Sequence, residues 1–185
     1  MPKLFVKKLK KYSFILFPLS IGIMLPSLIA PWVTINLSGQ HSHSPFDIIK
    51  SAISQSAGFV SQNQFDLLDL WAKYTDSYFA LILSMITYIT SITLMILSIA
   101  LKKNRSKFIL IAGILAMSSG ISWIYTIESF KTHFVQTAVS AGGIIGEEWK
   151  GQESTIINSI IVTGFGHHLV ILAGTLAILA YLWQY

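Results

Sequence analysis

The side chains best suited to chemistry in this 185-residue chain are its five histidines, because imidazole changes charge near neutral pH and also ligates metals. They fall at His41 and His43, at His133, and at the adjacent pair His167 and His168. As an i, i+2 pair, His41 and His43 would grip a metal only weakly, and two solvated loop histidines are the simpler reading. Glu128 precedes His133 by little more than a helical turn. Together with His167 and His168, these two define a candidate cluster for a metal ion, a proton or a quinone-like headgroup. Adjacent residues stand about 100° apart on a helix, so His167 and His168 cannot easily share one ion. Nothing in the chain matches a Walker loop, a dinucleotide fingerprint, a zincin helix or a serine-hydrolase elbow. With no cysteine present, disulfides, thiolate metal centres, cysteine nucleophiles and palmitoyl anchors are excluded. No cofactor is predicted.

The elements that must position these groups are unusually apolar. The chain is 53% hydrophobic and 11% charged, whereas soluble domains carry about a quarter charged residues, and its mean hydropathy is +0.63. A bilayer core about 30 Å thick needs roughly 20 apolar residues in a helix, which alone satisfies its own backbone hydrogen bonds in lipid. Charge-free apolar runs predict four such spans, at approximately 12–36, 77–101, 108–127 and 164–184. The last is fixed at one end by the interfacial aromatics Tyr181, Trp183 and Tyr185. No Asp, Glu, Lys or Arg occurs inside any span, so a midplane proton relay or ion carrier lacks its central group. A bundled b-type haem would want a deep histidine on each of two spans, and the first three have none.

Charge placement sets the direction. Segments 1–11 and 102–107 hold nine bases and no acid, whereas segments 37–76 and 128–163 hold four bases and all eight acids. The formal charge of +5 thus divides into +9 and −4. Basic short loops stay cytoplasmic, which predicts a multi-pass cell-membrane protein with both termini inside and two outer loops. The basic faces then meet anionic lipid, and nucleic acid is not expected as a partner. A cleaved secretory signal is the rival for the first span. A cut after Ala30 would place Leu28 where a small residue is needed and Pro31 directly after the cut, which argues against it.

The fold class expected is an all-α integral membrane protein: a four-transmembrane-helix bundle whose two extracytoplasmic loops contain short amphipathic helices. In the first loop Phe46, Ile48, Ile49, Ala52 and Ile53 recur at helical spacing, as do Phe65, Leu67, Leu68 and Trp71. In the second, Ile127, Phe130, Phe134 and Ala138 predict that the third helix runs on until Gly142-Gly143, with an exposed turn at 147–151.

Helix contacts in lipid rely on small residues and hydroxyls. Ser77, Ser84, Ser91 and Ser98 recur every seven residues, a spacing that implies a shallow left-handed crossing. Ala112, Ala116 and Gly120 form a small-residue stripe on the third span, and Ala173 and Ala177, with the adjacent Gly174, form one on the fourth. In the first span Pro18, Gly22 and Pro26 share a face and predict a kink near Gly22.

The layout is similar in topology to that of claudin-like and tetraspanin-like organisers, but the cysteine motifs of both groups are absent and no family follows. The function expected is non-catalytic: an accessory or structural subunit of a membrane complex, or a membrane organiser. Its partners would be the bilayer, other membrane subunits or further copies of itself. One alternative is a redox- or metal-linked subunit using Glu128, His133, His167 and His168. Another is an oligomeric pore or small-solute transporter lined by the serine face of the second span.

Overall fold

A computed structural model describes residues 3–36, 40–56, 75–101, 104–140 and 153–183. The expected helix over 65–71 and the turn at 147–151 lie outside them. The elements in chain order are α1 (Lys3–Ser27), β1 (Val33–Asn36), β2 (Gln40–His43), α2 (Pro45–Ser56), α3 (Thr75–Ala100), α4 (Arg105–Ser140), α5 (Glu153–Ile160), β3 (Ile161–Thr163) and α6 (Gly166–Leu182). The protein is mostly helical. Tyr78–Ala100 in α3 and Arg105–His133 in α4 are long and apolar enough to cross a membrane, while Ile15–Ser27 and Gly166–Leu182 are shorter apolar helices.

Four long helices pack in the order α3, α4, α6, α1, so the first and last are neighbours. The approach of α4 to α6 is set by small residues. A Cβ on Gly113 would stand 2.9 Å from Gly174 O, and one on Gly174 would stand 2.7 Å from Gly113 O and 3.0 Å from Ala116 Cβ. Backbones this close exclude any larger side chain and gain dispersion contacts along the whole crossing.

The segments between the long helices depart from the helix-only expectation. A three-stranded antiparallel sheet has the order β2-β1-β3, pairing Val33 with His43 on one side and with Thr163 on the other. Its residues explain it: Val33-Thr34-Ile35 and Ile161-Val162-Thr163 are runs of β-branched side chains, stiff at χ1 and suited to a pleat. The first helix is correspondingly shorter than 12–36. It stops at Ser27, where Pro26 has removed a backbone donor from the final turn and Pro31 pushes Ala30 out of the α region.

Helix α2 forms where the spacing of Phe46, Ile48 and Ile49 predicts one, and its start is a capping box. The Ser44 N–H and hydroxyl both donate to Asp47 Oδ2, at 2.9 and 2.6 Å, and Asp47 N–H returns a bond to Ser44 Oγ at 3.3 Å. Pro45 occupies the first helical position, where its missing N–H costs nothing. Partial burial raises the Asp47 carboxyl, but the Ser44 bonds together with the charges of His43 and Lys50 outweigh it and hold the group below the ordinary carboxylate range. Helix α4 continues past Ile127 to Ser140, with Ile127 and Phe130 both buried.

Candidate functional site

The four residues proposed for an outer cluster are not gathered at one point. Glu128 is exposed and pairs with Lys131 one turn away, at 3.1 Å. His133 lies five residues on along the same helix, roughly 140° around it, and its Nδ1 is 2.8 Å from Ser129 O. His167 is 1% exposed, and its imidazole lies against the Gly164 backbone. Its ring lies 3.8 Å from that of the exposed His168, tilted by 44°. Among the described residues no three His, Asp or Glu side chains converge where one metal ion could reach them.

The serine seam of α3 meets α4. Ser84 Oγ donates to Ser119 O at 3.0 Å, Ser119 Oγ donates back to Ser84 O at 2.9 Å, and Ser91 Oγ donates to Ala112 O at 2.8 Å. Ser98 is buried and bonds Met95 O within its own helix. The Ser77 side chain lies outside the described residues. These hydroxyls are spent on carbonyls of the packed helices, which is what a contact face requires. Ala112, Ala116 and Gly120 on α4, and Ala173 and Ala177 on α6, are all buried. A Cβ on Gly120 would stand 3.2 Å from His167 O. Helix α1 runs unbroken through Pro18, Gly22 and Pro26, and a Cβ on Gly22 would meet nothing within 4 Å. The bond that ties α1 to α6 comes instead from Ser20, whose Oγ donates to Ala173 O at 2.7 Å.

Among the described residues one more side chain, marked by no motif, ties several elements together. Trp32 is 0% exposed. Its Nε1 donates to Ser27 O at 2.9 Å, and its carbonyl accepts from Trp123 Nε1 at 3.2 Å and from Gly164 N–H at 2.9 Å. Its own N–H donates to His43 O at 2.9 Å. The indole meets Tyr88 and Trp123 edge to face, with centroids 5.1 and 5.0 Å away, and each such pair contributes about 0.5–1.5 kcal/mol beyond its burial. Tyr88 OH is 2.8 Å from Ser27 Oγ. Trp32 therefore fastens the sheet to α1, α3 and α4 at once.

Neither a family model nor a known protein or solved structure matches the chain.

The geometry itself must therefore carry the functional reading. Around Trp32 every polar atom named above is committed to another part of the chain, so the cluster holds structure and presents no reactive group. A signal for it does exist in the sequence. Trp32 follows Pro31 directly, while Gly164 and Gly166 bracket the start of α6. A Cβ on Gly164 would lie 2.1 Å from Pro31 O, and one on Gly166 would lie 2.2 Å from Trp32 Cδ1. Two glycines so close together, after a β-branched run, mark a place where another backbone approaches.

Proposed function

We propose that the chain is a four-span integral membrane protein, with both termini on the basic cytoplasmic side, acting as a non-catalytic accessory subunit or organiser of a membrane assembly. What supports the reading is an inverted distribution of polarity. Large apolar side chains stand exposed on every long helix: Leu19 and Leu25 on α1, Ile86 and Ile96 on α3, Ile114 and Ile121 on α4, Leu172 on α6. Hydroxyls are buried between those helices, at Ser20, Ser27, Ser84, Ser91 and Ser119. Water would reverse this arrangement, and lipid rewards it. The organising role rests on the same features together with a sheet-capped outer end that holds structure without a reactive centre.

The test exploits the absence of cysteine. Single cysteines placed at Gln40, beside the sheet, and at Asn104, before α4, should react differently with an impermeant maleimide. Gln40→Cys should label on intact cells and Asn104→Cys only after permeabilisation; the opposite pattern, or loss of the protein from membranes at alkaline pH, defeats the topology. For the role itself, isolation in mild detergent should return stoichiometric partners or a homo-oligomer, and recovery of a bare monomer counts against it.

A further inference from the structure

We infer that Arg105 forms a phosphate-binding site for an anionic lipid headgroup in the cytoplasmic leaflet. The guanidinium sits at the first residue of α4 and lies 5.4 Å from the centroid of the Phe17 ring on α1, itself 2% exposed. Its Nε is buried and has no hydrogen-bond partner among the described residues. Arg105 as a whole is only half-buried, and an anion bonded to the fork would replace the hydration that its Nε has lost.

Among the described residues no acidic side chain stands at this end. Asp47, Asp76, Glu128 and Glu153 all belong to the sheet end of the molecule. Twenty-three residues of α4 separate Arg105 from Glu128, about 34 Å along the axis. In the sequence Arg105 belongs to a run of bases: Lys102 and Lys103 precede it and Lys107, which is exposed, follows two residues on, while Lys11 and Lys10 lie six and seven residues before Phe17. A planar fork with a free donor, beside additional bases, matches the oxygens of a phosphate. The anionic lipids of the cytoplasmic leaflet supply that group continuously. The assignment rests on the four-span reading, which places this end of the bundle at the cytoplasmic headgroups.

The chemistry is shared by a free phosphate, so the experiment separates the sources. Full-length protein in neutral detergent is titrated with short-chain phosphatidylglycerol, with phosphatidylcholine of the same chain length, and with inorganic phosphate. Binding is read by native mass spectrometry and by the shift of the thermal transition. Phosphatidylglycerol should bind, and Arg105→Gln should weaken it at least about tenfold. Arg105→Lys, which keeps the charge but loses the fork, should fall between the two. The near-ultraviolet signal of Trp32 and Trp123, at the other end of the bundle, reports whether each variant is folded. Equal binding by folded Arg105→Gln and the native chain overturns the site, and equal displacement by inorganic phosphate overturns the lipid as its source. Vesicle flotation of the same samples tests insertion separately: a chain that floats without retaining phosphatidylglycerol refutes this site alone, whereas one that does not float refutes the spanning reading.

Discussion

Replacing Gly166 by alanine should break the fastening of the sheet to the bundle. The new Cβ would stand 2.2 Å from Trp32 Cδ1, 2.6 Å from Trp32 Nε1 and 3.0 Å from Ala30 O, whereas unstrained carbon contacts begin near 3.5 Å. The indole would have to withdraw by more than an ångström. It has nowhere to go: it is fully buried, flanked by Tyr88 and Trp123 and bonded through Nε1 to Ser27 O at 2.9 Å. A shift of that size stretches the bond past useful geometry. Overpacking costs about 1–3 kcal/mol and the lost bond about 0.5–1.5 kcal/mol, so the variant should lose roughly 2–4 kcal/mol. Unfolding by SDS in mixed micelles measures the loss, and near-ultraviolet circular dichroism shows whether the tryptophans have moved. A Gly166→Ala protein within about 0.5 kcal/mol of the native chain, with an unchanged tryptophan spectrum, would refute the packing described here.

Gly22→Ala provides the contrast: nothing lies within 4 Å of the new Cβ, and alanine is favoured over glycine inside a helix, so the same titration should show a gain of about 0.5–1 kcal/mol. Ser84→Ala removes one bond across the α3–α4 contact and should cost about 0.6 kcal/mol, whereas Ser84→Leu must push the helices apart and should cost about 1–3 kcal/mol; a leucine variant as stable as the alanine one would contradict the close approach. The capping box of α2 should depend on pH. Because the Asp47 carboxyl is depressed in the folded protein, its contribution is complete above the ordinary value near 3.9 and is lost as pH falls through the lower folded value. Intrinsic-rate-corrected amide exchange in the first turn of α2 should rise over that window in the native chain, and Asp47→Asn should abolish the dependence.

Much of the helical layout was legible because its signals are local. A seven-residue serine repeat, an uncharged apolar run, and Phe130 one turn after Ile127 are each visible within a few turns of chain. The sheet was harder to read. Its strands are three or four residues long, too short for a period, and Ile35 finds its partner Ile161 across most of the sequence. Only the β-branched composition hinted at it. Sequence position places Glu128, His133, His167 and His168 at a similar depth, but it does not say which way Glu128 and His133 face relative to the other helix. Glu128 and His133 point in different directions from the same α4, and His167 is turned inward beneath the sheet end. A tryptophan beside a proline at the end of an apolar run suggests an interfacial indole, yet Trp32 is fully buried. Its burial depends on Gly164 and Gly166, whose significance emerges only when the last helix is set beside the first.

That pairing of first and last bears on the order in which the protein can be made. Chains are synthesised from the N-terminus, yet α1 has α6 as its main helical neighbour. The central strand β1 also needs β3, and the Ser20 hydroxyl needs the Ala173 carbonyl. While α3 and α4 are emerging and closing their hairpin, α1 waits with an unfilled strand edge and an unsatisfied hydroxyl. The bundle locks only when its final helix arrives. A nascent chain stalled before residue 161 would therefore hold its first helix without its closing partner, in the state most open to quality-control proteases.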